Sequence, residues 1–131
     1  NITSGGVDAG YTYDAAAEHM FILIYPTMNG PEQPTKIKVS NFNNQFFGTK
    51  GYTVNAMPLD AKNQLIIVKA FPKLFDAKKY IEAYASSTAL AVLGTAQSDF
   101  EYYLISTDNF TKLFKSKNLQ EYKDFYGKNY N

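Results

Sequence analysis

The chain has 131 residues and a formal net charge of +1, from 13 basic and 12 acidic side chains. That length suits one domain around one core, and so small a charge gives no strong pull toward nucleic acid or anionic lipid. Every basic residue is a lysine, which lacks the planar fork used for bidentate phosphate recognition and weakens a nucleic-acid reading further. Cysteine is absent, so disulfides, thiolate metal sites and a cysteine nucleophile are excluded, while the compartment stays open.

Phe and Tyr supply 10 and 11 residues, about twice ordinary usage and ample for burial. No run approaches the eighteen or so apolar residues that a membrane-spanning helix needs. A signal peptide is not visible, and the chain begins at Asn1 rather than Met. It therefore reads as a processed product or a piece of a longer chain.

Residues 1–10, NITSGGVDAG, are small and polar and read as a flexible lead-in or linker, with one domain over 11–131. His19 to Pro26 is a short apolar run closed by proline, which suits a buried strand. Asn29-Gly30-Pro31 then breaks the chain. From Thr35 to Phe47, Val39, Phe42 and Phe46 recur at spacings of three and four, a helical stripe that Gly48 stops. Tyr52 to Met57 alternates as a strand, with Tyr52, Val54 and Ala56 on one side. Asp60 and Asn63 suit a hairpin turn into a third strand, Leu65 to Phe71.

A helix is expected from about Asp76, as N-cap, with Ala77, Tyr80, Ile81 and Tyr84 on one face. Ala89 to Leu93 reads as a short strand or an extended approach, and Phe100 to Ile105 as the last strand. Two short helices close the chain. Thr107 or Asp108 can cap the first, which presents Phe110, Leu113 and Phe114. Asn118 with Glu121 makes a capping-box-like start to the second, which presents Leu119, Tyr122, Phe125 and Tyr126. The order β-α-β-β-α-β is the ferredoxin-like α+β plan, an antiparallel sheet with helices on one face, here with a C-terminal helical extension.

The chemistry of the side chains points away from an enzyme. His19 is the one histidine, and a polar residue opening a strand accounts for it. Ligand spacings such as HExxH or DxDxDG, glycine-rich phosphate loops and a GxSxG elbow are all absent, so no metal or other cofactor is expected. Ser86, Ser87 and Ser106 fall at element ends, where hydroxyls cap backbone groups. Glu82, Asp99 and Glu101 have no spacing that pairs them as acid and base. Asn1-Ile2-Thr3 and Asn109-Phe110-Thr111 match the glycosylation pattern, a short and frequent one.

Strand parity suggests where a partner would sit. Glu101, Tyr103 and Ile105 share one side of the last strand, and Leu65, Ile67, Lys69 and Phe71 share one side of the third. If Glu101 and Lys69 mark the helix-free face, then Leu65, Ile67, Lys69, Phe71, Glu101 and Tyr103 form an unusually apolar candidate binding surface. The alternative is that the C-terminal helices fold over that face.

The strand, Phe-Pro turn and helix of QLIIVKAFPKLFDAKKYIEAY resemble the second half of a SPOR-type domain, a small βαββαβ module that binds peptidoglycan. A closer resemblance spans KVSNFNNQFF, YTVNAMPLDAKNQLIIVKAF, DAKKYIEAY and FEYYLISTDNFTKLFKSKNLQEYKDFYGKNY. These segments are similar to the C-terminal domain of large tetratricopeptide-repeat envelope proteins of Bacteroidetes, among them lipoproteins tied to gliding motility and type IX secretion. The resemblance implies a periplasmic-side envelope location, an outer-membrane anchor and helical repeats ahead of Asn1. The implied partner is another protein or the chain's own repeats, with peptidoglycan, held on the open sheet face, as the alternative.

Overall fold

The computed structural model describes residues 10–26, 37, 39–41, 43, 44, 47, 48, 50–85 and 101–130. Among these residues four strands are formed: β1 (His19–Pro26), β2 (Thr53–Pro58), β3 (Asn63–Phe71) and β4 (Glu101–Ser106). Three helices accompany them: α1 (Leu74–Tyr84), α2 (Thr107–Ser116) and α3 (Leu119–Asn129). Residues 37, 39–41, 43, 44 and 47 are helical as well. The lead-in before Gly10, the Asn29-Gly30-Pro31 break, Phe42 and Phe46, Ser86 and Ser87, the segment Ala89 to Leu93, and Asp99 and Phe100 lie outside the described residues.

The strands form one antiparallel sheet in the order β2-β3-β1-β4. The protein is thus α+β, and this arrangement is compatible with a ferredoxin-like fold. β1 is the central element: Phe21, Ile22 and Leu23 are fully buried, with Ile24 and Tyr25 nearly so. A strand buried on both faces reads as a continuous apolar run, and FILIY does. The β2–β3 hairpin is closed by Asp60, whose Oδ1 accepts from the backbone N–H of Lys62 at 2.8 Å and of Asn63 at 2.9 Å.

One face of the sheet carries α1 through a continuous set of rings. Phe21 lies 5.0 Å from Tyr80 and 4.9 Å from Tyr84, and Tyr84 lies 5.1 Å from Tyr102. Phe71 sits 5.2 Å from Tyr80 and 4.4 Å from Tyr52. The Tyr80 hydroxyl donates to Asn43 Oδ1, tying α1 to the helical residues ahead of β2. Edge-to-face and tilted aromatic pairs of this kind add to plain area burial.

Two helix starts differ from expectation. α1 begins at Leu74 rather than Asp76, with Lys73 at the N-cap and no side-chain cap. The Leu74 N–H donates instead to Ala15 O at 3.0 Å, so the segment ahead of β1 supplies the missing acceptor. Asp76 falls in the first turn, where a negative charge complements the helix dipole. α2 is capped by Ser106, whose Oγ accepts from the Asn109 N–H at 3.1 Å, not by Thr107 or Asp108. For α3, Asn118 Oδ1 accepts from the Glu121 N–H at 3.3 Å.

The buried tyrosines give the fold an alkaline weakness. Burial pushes the hydroxyls of Tyr80, Tyr84 and Tyr122 well above the ordinary value of 10. The unfolded chain releases these protons near pH 10 while the native one holds them, so stability falls as pH rises above about 10. Tyrosinate absorbance is expected to rise in step with loss of circular dichroism, and Tyr80→Ala is expected to cost about 3–5 kcal/mol in urea unfolding. Tyrosine ionisation completed before any unfolding, or a Tyr80→Ala cost near zero, would contradict this packing.

Candidate functional site

The face opposite α1 is covered by α2 and α3. Tyr103 of β4 meets Tyr126 at 5.1 Å and Tyr122 at 6.4 Å, both edge-on. The Tyr122 hydroxyl donates to Leu104 O, which fastens α3 across β4. At the rim, Lys123 pairs with Glu101 at 2.6 Å, and the Tyr103 hydroxyl donates to the same carboxylate at 2.7 Å. Partial burial pushes the Glu101 carboxyl up, but the hydrogen bonds from Lys123 and Tyr103 prevail and hold it below its ordinary value. Burial, and then Glu101, pushes the Tyr103 hydroxyl up.

This covering corrects the candidate binding surface. Leu65 is fully buried and Ile67 is 5% exposed, so neither forms an open platform. Glu101 and Tyr103 are engaged by α3. Phe71 is not on that face at all. Between His19 and Phe21 of β1 there are two steps, whereas their partners Phe71 and Val68 on β3 are three apart. That extra residue is a β-bulge, and one residue reverses the parity of the strand beyond it. Phe71 turns to the α1 face and packs on Tyr52 and Tyr80, while Lys69 and Ala70 stay exposed.

A groove of about 470 Å³ remains open between α2 and the β2–β3 side of the sheet. Met20 and Ile67 line it from the sheet, Asn55 and Met57 from β2, and Thr107, Phe110 and Thr111 from α2, with Lys69 and Ala56 completing it. The α2 residues are spaced three and four apart, one helix face. Phe110 extends the apolar surface by stacking on Phe114 at 6.0 Å, and Lys117 lies 3.4 Å above the Phe114 ring. Of the six residues named from sequence, the groove brings together Ile67 and Lys69 alone. The α2 contribution escaped sequence reasoning because the helical period groups Phe110 with Leu113 and Phe114 as a core face. The i, i+3, i+4 set Thr107-Phe110-Thr111, polar on both sides of one aromatic, was the available signal.

A smaller hollow of about 140 Å³ lies among Thr12, Asp14, Ala17, Ser106, Asp108, Asn109 and Lys112. Its polar groups fasten residues 10–18 to α2. Asn109 is fully buried; its Oδ1 accepts from the Thr12 N–H at 3.0 Å and its Nδ2 donates to Thr12 O at 2.8 Å. Asn109 thus serves as a strand-like partner for Thr12, and the folded domain cannot offer it for glycosylation. Lys112 Nζ donates to Gly10 O at 2.6 Å. Tyr11 packs on Tyr122 at 5.1 Å and on Phe125 at 5.5 Å.

His19 opens β1, as its place in the sequence suggests, and is buried there. Its Nδ1 lies 2.8 Å from Ala17 O, which can only accept, so Nδ1 carries the hydrogen. Nε2 of the neutral ring then accepts from the Tyr130 hydroxyl, also at 2.8 Å. His19 therefore ties β1 to the residue after α3, and among the described residues no group of three His, Asp or Glu could hold a metal. Nor is any described helix long and apolar enough to cross a membrane.

These buried groups set two measurable outcomes. Burial lowers the His19 pKa below the ordinary 6.5, with the Ala17 carbonyl and Asp14 opposing. The unfolded chain then binds the extra proton first, so stability is fully present above about pH 6.5 and falls as pH drops below it. Because it is the one histidine, its ring resonances are expected to titrate below 6.5, and His19→Gln is expected to flatten the acid limb of stability. A ring midpoint above 6.5 would contradict the burial. Asn109→Ala is expected to cost about 2–4 kcal/mol in urea unfolding, since it removes two bonds and leaves Thr12 groups unpaired; a cost below about 0.5 kcal/mol would contradict the bridge.

Comparison with protein-family models, curated proteins and solved structures returns no match. Function must then be read from the groove and its surroundings.

Proposed function

We propose that this domain is a non-catalytic protein-interaction or scaffolding module, and that the groove beneath α2 is its contact site. The observation that carries the reading is the groove's make-up: two methionines, an isoleucine and a phenylalanine with a few hydrogen-bonding groups and one lysine. Such a lining offers adaptable apolar area and few groups to position reacting atoms. The setting we propose is the one implied by the sequence resemblance, a periplasmic-side module of a bacterial envelope tetratricopeptide-repeat protein with a link to type IX secretion or gliding. The finer architecture we propose is the split βαβ, SPOR-like plan. Its support is the β2-β3-β1-β4 order together with helical residues between β1 and β2 and α1 between β3 and β4.

Peptidoglycan binding on an open sheet face is the weaker reading. Over β4 the face it requires is covered by α3, and Tyr103 is engaged by Tyr126 and Glu101. Two measurements separate the readings. A photo-crosslinking residue placed at Thr111, an exposed position on the groove wall, is expected to give a protein adduct in cells, and purified peptidoglycan sacculi are expected not to retain the domain. Retention on sacculi with no protein adduct would overturn the proposal in favour of the glycan.

A further inference from the structure

The groove runs beside an edge strand. β2 ends the sheet order, so among the described residues its outer side has no strand partner. Its exposure agrees: Thr53, Asn55 and Pro58 are exposed, and Val54, Ala56 and Met57 are half-buried. Edge strands are usually protected from further pairing by charges or bulges. β2 has neither, since TVNAMP carries no charged residue and pairs with β3 from Thr53 to Pro58 without a register shift. Only Pro58, at its end, blocks pairing.

The side chains flanking this edge are ordered along it. Asn55 and Met57 both line the groove, two residues apart and hence on one face of β2. A strand added outside β2 would direct its alternate side chains to the same face, toward Met57 and Phe110. Lys69 sits at the other end of the groove, paired in register with Thr53. It is exposed and has no ion-pair partner among the described residues. Among the described residues the groove thus presents apolar area at the Met57 end and one exposed, unpaired lysine at the Thr53 end.

From this we infer that the domain captures an extended peptide segment of its partner by strand addition to β2, with alternate apolar side chains in the groove and a carboxylate directed at Lys69. The inference rests on the interaction reading above and specifies its mode. Main-chain pairing with β2 supplies affinity, while the groove and Lys69 supply selectivity. A second copy of the chain pairing β2 to β2 is the competing occupant. Antiparallel β2-to-β2 pairing would set the two Lys69 side chains at opposite ends of the ladder. The paired segment TVNAMP supplies no carboxylate to either, whereas a peptide can present apolar side chains and a carboxylate together.

The test is selection of a random peptide library on the intact 131-residue chain, with the bound peptides mapped by amide chemical shifts. Selected sequences are expected to alternate apolar residues and to carry Asp, Glu or a free C-terminus at one end. Their shifts are expected to centre on Thr53 to Met57. Lys69→Glu is expected to weaken a selected acidic peptide by about tenfold or more and to shift a fresh selection toward basic residues. Thr111→Trp, an exposed substitution that fills the groove, is expected to abolish binding without loss of fold. Selected peptides that bind away from β2, indifference to Lys69→Glu, no enrichment at all, or self-association through β2 would each overturn the inference. If a protein adduct still forms at Thr111 in any of these cases, the interaction reading stands and only the strand-addition mode falls.

Discussion

The packing of Tyr122 and Tyr126 against Tyr103 decides which surfaces this molecule can present to others. A four-stranded sheet built around β1, an apolar strand buried on both faces, cannot leave either face to water. α1 closes one face with a chain of rings from Tyr102 through Tyr84 and Phe21 to Tyr80 and Phe71. α3 closes the β4 side of the other through Tyr103 and the hydrogen bond to Leu104 O. The covering then thins out toward β2, where α2 stands over Met20 and Ile67 and leaves a groove. The functional reading is a consequence of where that cover ends.

The same cover is fixed by a set of long-range polar clasps. Residues 10–18 run along the base of α2, held by Asn109 to Thr12 and by Lys112 to Gly10. The Thr107 N–H donates to Glu18 O at 3.1 Å, and His19 accepts from Tyr130. Each clasp joins the start of the domain to its end. Buried polar groups stabilise only when satisfied, and these pairings specify one placement of the terminal helices over the sheet. Holding α2 in place also holds Thr107, Phe110 and Thr111 as a fixed wall of the groove.

Much of this was legible in the sequence, wherever the signal is local. The apolar run His19 to Pro26, the alternation in β2 and Asp60 in the hairpin are each set by period or turn chemistry. The parity of β4, with Tyr102 and Leu104 on one side and Tyr103 and Ile105 on the other, was legible too. The fate of Phe71 was not, because a bulge arises from pairing with β1 and leaves no mark on the period of β3 itself. The burial of His19 and Asn109 depended on partners 111 and 97 residues away, beyond the reach of any local pattern. The groove escaped for the same reason, since its two walls come from β2 and α2.

Among the described residues β2 is an open edge beside a preformed groove. Residue-resolved amide hydrogen exchange measures it most directly, on the chain alone and with a selected peptide bound. In the free chain, alternate amides of β2 are expected to exchange rapidly while those of β1 exchange slowly. With peptide bound, the fast β2 amides are expected to become protected, and α1 is expected to stay unchanged. Full protection of β2 in the free chain, or peptide-induced protection centred on α1, would contradict the account.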